Sequence, residues 1–219
     1  MDEKLKKAYY VILGILILLF FTKDTKDENN FYKNIKFIEN PNDILVLVNK
    51  NNQLNSNFIP NNLESISLKY SNAEKYLRKE ARDAFEKLSS EANKLGYRIV
   101  AVSAYRDYNY QKDLFDYYVK EKGIDYALSC SAKAGHSEHQ TGLALDIEGS
   151  NNDYDEFEKS KEFDWIKENA HKYGFILRYP KGKEHITGFK YEPWHYRYVG
   201  ENVAKYIYEN NLTLEEYLK

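Results

Sequence analysis

Cysteine is nearly absent: Cys130 alone in 219 residues excludes an intramolecular disulfide, so the fold rests on its hydrophobic core. With no Cys/His/Asn signature around it, that cysteine reads as a small packing residue. Charge of one sign is missing as well. The 32 basic and 34 acidic residues leave a net charge of -2, and no Lys/Arg block stands out beyond the first seven positions. Nucleic acid is thereby excluded as the expected partner. An H-E-x-x-H segment is lacking, and with it the helix-borne zinc protease site. No internal repeat is found. The abundance of Tyr, Asn, Lys and Ile reads as a coding bias toward AT-rich codons and carries no mechanism.

One long apolar run is present. Residues 8–22, AYYVILGILILLFFT, follow Lys4, Lys6 and Lys7, and the next charge is Lys23. The run offers neither a small-x-small cleavage site nor a cysteine for lipid attachment, and it lacks the polar stripe of a core helix. The expectation is an uncleaved single-pass anchor in the cell membrane, with the basic tail inside and the folded domain outside. The chain then divides into a tip and anchor (1–22), a polar Asn/Lys-rich linker (23–40) and one domain (41–219), expected to be a monomer.

Within that domain, ILVLV at 44–48 reads as a first strand. Asn72 caps a helix whose apolar residues, from Ala73 to Leu95, recur at three- and four-residue spacings before Gly96. RIVAVSAY at 98–105 reads as a buried strand delivering Arg106 at its end. A helix spans Tyr108 to Lys122 before Gly123. LALDI at 143–147 is a strand with Ala144 and Asp146 on one face. A third helix runs from Glu162 to Lys172 and FILRY follows as a strand. ITGFKYEPWHYRYVG suggests a hairpin or paired strands, with His195, Arg197 and Val199 on one face. Pro193 breaks that ladder, so Glu192 can swing back toward His195. Thr213 and Glu216 form a capping box for a last short helix. Helices and strands without βαβ regularity point to an α+β domain with a small antiparallel sheet flanked by helices.

Five histidines are present: His136, His139, His171, His185 and His195. His171 reads as a surface residue and His185 as a loop residue. His139 is followed by Asp146 on a strand, and His195 is preceded by Glu192. Two imidazoles, one carboxylate and a spare glutamate are the components of an open zinc site, in which three N/O ligands leave one position for a water. The competing possibility is the H-x-x-H pair of His136 and His139.

SEHQTGLALD (137–146) resembles the S-x-H-x-x-G-x-A-x-D signature, and EPWH (192–195) the E-x-W-H motif, of the LAS-type zinc peptidases. Within them the match is to the VanY-type D-alanyl-D-alanine carboxypeptidase family, and SAYRDYNYQ (103–111) is similar to its S-G-Y-R-S-x-x-x-Q segment, with Ala104 where glycine is frequent. The resemblance runs from about Asn40 to the end. It implies an LAS-type fold, zinc held by His139, Asp146 and His195, and Glu192 as general base. It implies that Arg106 binds the substrate and stabilises the oxyanion, that Gln111 and Ser137 help hold the peptide terminus, and that His136 stays outside the ligand set. The function implied is a zinc D,D-carboxypeptidase removing the terminal D-alanine of peptidoglycan stem peptides. An L,D-carboxypeptidase or endopeptidase of the same fold, and a non-catalytic wall-binding or sensor domain, remain as alternatives.

Overall fold

Four short runs rich in β-branched, aliphatic and aromatic residues make the central sheet. The computed structural model describes residues 31–150 and 156–219, of which Ile35 onward belongs to one compact unit. Two small pairings come first. Strand β1 (Lys36–Phe37), within the stretch read as a linker, pairs in parallel with β2 (Asn52–Gln53). β3 (Leu63–Ser65) then pairs antiparallel with β4 (Tyr76–Arg78). Helix α1 (Lys79–Lys94) follows β4 directly and buries Ala81, Phe85, Leu88 and Ala92. Each large apolar side chain of that stripe contributes roughly 1.5–3 kcal/mol by leaving water.

The central sheet begins with β5 (Val100–Ser103), after which come α2 (Tyr108–Lys122) and α3 (Ile124–Cys130). β6 (Ala144–Glu148) is wholly buried; α4 (Lys161–Asn169), β7 (Phe175–Leu177), α5 (Glu184–Thr187) and β8 (His195–Tyr198) complete the layer. The order is β5-β6-β8-β7, with every pairing antiparallel. The expected α+β architecture with a small antiparallel sheet is therefore found. One core, including Leu77, Phe85, Ile99, Leu145, Phe175 and Tyr196, lies against the sheet. The chain closes with α6 (Glu201–Glu209) and α7 (Leu214–Tyr217), whose capping box between Thr213 and Glu216 forms as expected.

Several readings are corrected. Residues 44–48 form no strand: the carbonyls of Ile44 and Val46 accept from the Arg197 guanidinium, which satisfies them without a ladder. The helix expected from Asn72 starts only at Lys79, because Tyr76–Arg78 pairs with β3 while Tyr76 O and Arg78 N bond Tyr105 N and Gly142 O. The apolar residues fit either period there, and tertiary partners decide for the strand. Residues 186–200, expected as a hairpin or paired strands, hold a short helical turn and the single strand β8, which pairs with β6 and β7.

The membrane anchor is also corrected. Residues 8–22 lie outside the described residues, and among the described residues no helix is long and apolar enough to cross a membrane. A helix of that run's fifteen residues would reach roughly 22 Å, short of the ~30 Å hydrocarbon core. The cell-membrane localisation with an external domain, and the membrane as partner, are withdrawn.

Candidate metal centre and active site

A single 3₁₀ turn (Glu138–Thr141) aims the first imidazole. Ser137 caps it by accepting from His139 N at 3.3 Å, and Gly142 at φ +66° turns the chain into β6. A Cβ at Gly142 would meet Leu63 Cδ2 at 2.8 Å, so the turn requires glycine for both space and backbone conformation. The His139 Nδ1–H donates to the Ala104 carbonyl at 2.6 Å, which leaves Nε2 as the lone-pair nitrogen, 3.3 Å from Asp146 Oδ2.

Register brings in the remaining pair. Asp146 of β6 lies directly opposite His195 of β8, and Asp146 Oδ1 is 3.0 Å from His195 Nδ1. One donor atom from each of His139, Asp146 and His195 falls within 4.8 Å of the others. The three residues are 1%, 7% and 4% exposed, and His139 Nε2 and Asp146 Oδ1 are buried without a hydrogen-bond partner. Unpartnered buried polar atoms converging on one point are costly unless something binds them. Two imidazole nitrogens and a carboxylate are the donor set of an open zinc site, so these residues fit the expected metal.

Electrostatics at His139 fit it too. Burial, aided by the positive Arg106, lowers the His139 pKa to about 4, so its imidazole is neutral as a ligand must be. At His195 burial works in the opposite direction to its carboxylate neighbours, and Asp146 and Glu138 prevail, pushing it up to about 9. Asp146 stays well below the carboxylate range despite its burial, held there by the two imidazoles.

Glu192 precedes a turn at Pro193–Trp194, as the proline predicts. Its N–H donates to the Tyr179 carbonyl at 3.1 Å, and its Oε2 is 3.8 Å from His195 Nδ1. Burial, with Asp146 adding repulsion, raises its pKa to about 7 against the pull of His195. A carboxyl tuned to neutrality beside a metal centre suits general-base work. Arg106 reaches the same place from the end of β5. Its Nε donates to Gln111 Oε1 at 3.0 Å, and its Nη1 donates to Ser103 Oγ at 2.9 Å and Asp146 Oδ2 at 3.5 Å. Arg106 lines a cavity of about 430 Å³, which Glu192, the three candidate ligands and Ser137 also line. Gln111 lies behind Arg106, donating to the Ala132 carbonyl at 2.7 Å, so it orients the guanidinium from within the protein.

The competing histidine is elsewhere. His136 Nδ1 bonds the Asn49 carbonyl at 2.8 Å and does not belong to the converging group. His171 stacks on Tyr208 at 3.9 Å and His185 sits in α5. Cys130 is half-buried on the cavity wall, with burial pushing its thiol pKa up and away from thiolate chemistry. Four residues escape sequence reasoning: Glu138, Arg178, Arg197 and Glu215 form a buried ionic network beneath His195. Their one signal is the charge of Glu138 inside the motif and of Arg178 and Arg197 inside apolar strands.

Comparison with known proteins identifies the family. The sequence model of VanY, D-alanyl-D-alanine carboxypeptidase, matches residues 74–201. The putative carboxypeptidase YodJ of Bacillus subtilis (strain 168) is 45% identical over 205 residues, covering 88% of this chain and 75% of that protein. Among solved structures, the LdcB LD-carboxypeptidase superposes with a TM-score of 0.79 at 47% identity, over 85% of this chain and 90% of its own. A mutant of the vancomycin resistance D,D-pentapeptidase VanY, solved in complex with Zn(II), gives 0.69 at 34% identity, over 80% and 98%. The fold is thus the LAS-type peptidase fold expected from the motifs, and the chain belongs to the VanY family of carboxypeptidases, enzymes that act on peptidoglycan peptides.

Proposed function

We propose that the chain is a zinc carboxypeptidase that releases the terminal D-alanine of peptidoglycan stem peptides. The observation that carries this reading is the placement of Glu192, tuned to about 7, beside the His139, Asp146 and His195 cluster and on the same cavity as Arg106. When bound by those three residues, zinc supplies Lewis acidity at the scissile carbonyl. Glu192 takes the proton of the attacking water and passes it to the leaving amine. Arg106, fixed by Gln111 and Ser103, presents its guanidinium to the substrate carboxylate or the developing oxyanion, and its permanent charge and planar fork suit both. Ser137 shapes the rim of the cavity through its cap on the His139 turn. A domain that only bound the wall would need neither the base nor the guanidinium.

The D,D bond of a pentapeptide is the substrate implied by the family description. A second reading, the L,D bond of a tetrapeptide, is favoured by a specific observation: the LdcB LD-carboxypeptidase, at 47% identity, is more similar to this chain than the D,D-pentapeptidase VanY at 34%. Pocket shape selects between the bonds. Defined pentapeptide and tetrapeptide muropeptides incubated with zinc-loaded enzyme, with and without chelator, and read by mass spectrometry, decide between them. Chelator-sensitive loss of one D-alanine from either substrate supports the proposal and names the bond. Internal cleavage, or full turnover in chelator, would sink it.

A further inference from the structure

Burying a carboxylate costs several kcal/mol unless it is paired, and this chain buries two of them beneath its candidate metal centre together with two arginines. Glu138, Arg178 and Arg197 have no exposed side-chain surface, and Glu215 is nearly as enclosed. Glu138 Oε1 accepts both guanidiniums, from Arg178 Nε at 2.7 Å and Arg197 Nη1 at 2.8 Å. Arg178 is also held bidentately by Glu215 of α7, at 2.7 and 2.8 Å. Arg197 is fixed on its other side by the carbonyls of Ile44 and Val46 at 2.7 and 3.0 Å. Two negative and two positive charges cancel, so the network does not require a charged imidazole beside it.

One oxygen remains. Glu138 Oε2 and His195 Nε2 are both buried without a hydrogen-bond partner, and they face each other at 3.7 Å. The opposite nitrogen of the ring, Nδ1, is the one turned to Asp146 and the ligand cluster. A carboxylate behind a metal-bound imidazole fixes the ring's orientation and which nitrogen carries the proton. His139 obtains the same service from the Ala104 carbonyl; for His195 the only group so placed among the described residues is Glu138.

We infer that Glu138 is a positioning residue for His195, accepting from its Nε2–H so that Nδ1 is presented to the metal, and that Arg178, Arg197 and Glu215 hold that carboxylate in place. The inference rests on the reading of His195 as a zinc ligand. It makes the last helix of the chain, through Glu215 and Arg178, part of the support of the site.

Glu138→Gln separates this role from ordinary packing. Its amide oxygen must stay on the two arginines, so its NH₂ group faces the His195 N–H and donor meets donor. Zinc dissociation constants from chelator competition, and the visible absorption of the Co(II)-substituted protein, are measured for wild type, E138Q and E215Q alongside circular dichroism. The expected result is folded E138Q with zinc affinity lowered about 10- to 100-fold and a shifted Co(II) spectrum, and a smaller loss in the same direction for E215Q. Folded E138Q with wild-type affinity and spectrum overturns the inference. If E138Q does not fold, E215Q decides: weakened zinc binding supports the inference and unchanged binding overturns it. Wild type that binds no zinc would remove the metal reading itself, and the inference with it.

Discussion

Three features of its immediate surroundings set the state of Glu192: a proline that takes it off the strand, a Tyr179 carbonyl that fixes its backbone, and burial that raises its pKa to about 7. In the proposed role of general base Glu192 acts deprotonated, so activity should rise with pH as it loses its proton. For wild type we expect kcat/KM to show an ascending limb near pH 7. Glu192→Ala should lose about 10²- to 10⁴-fold in kcat while retaining stoichiometric zinc, because Glu192 is not among the three converging ligands. Rate profiles from pH 5 to 9, with metal analysis of the same samples, check both. Retained activity in the alanine variant would remove Glu192 from its role.

At the scale of elements, the two structural devices that aim the site are the 3₁₀ turn closed by Gly142 and the β6-β8 register. Gly142→Ala places a side chain at φ +66° against Leu63 and Arg78. A penalty of about 1–3 kcal/mol is expected for such backbone strain, read as a thermal midpoint several degrees lower. Zinc affinity should fall with it, since the turn carries His139 and leads directly to Asp146. An unchanged midpoint would show that the turn can relax without cost. The same elements show what a sequence discloses. Helix α2 was legible because Gly123 ends it, a local signal, and in the structure Asp107 caps its start. The candidate metal cluster was suggested by the quoted motifs, and the structure brings the same three residues, His139, Asp146 and His195, to one point. Residues 44–48 and 73–78 were misread because their hydrogen bonds go to distant partners, Arg197 in one case and β3, Tyr105 and Gly142 in the other. Glu138 stands 40 and 59 positions from the arginines that hold it, and no local pattern records such pairings.

Across the whole molecule, the site is a concentration of ionisable groups at the centre of the sheet, and their linkage to folding sets how stability should respond to metal and pH. Zinc binds the folded chain and not a preformed site in the unfolded one, so it stabilises in proportion to its excess over Kd, by about 4 kcal/mol at a thousandfold excess. In chelator-stripped protein the His195 pKa is raised from 6.5 to about 9. A raised folded-state value gives stability that is present below pH 6.5 and lost as pH climbs toward 9. Glu192, raised from 4.5 to about 7, acts with the same sign at lower pH. There it is opposed by His139, whose value is lowered from 6.5 to about 4 and whose contribution therefore improves as pH rises to 6.5. Above 6.5 the contribution of His195 stands nearly alone, so the stripped protein should lose stability between pH 6.5 and 9. Zinc binding runs the other way, because displacing the His195 proton becomes easier as pH rises. Thermal melts at fixed free zinc and in chelator should therefore diverge across this range, the gap in Tm widening with pH. Parallel curves would mean that His195 exchanges no proton when the metal binds.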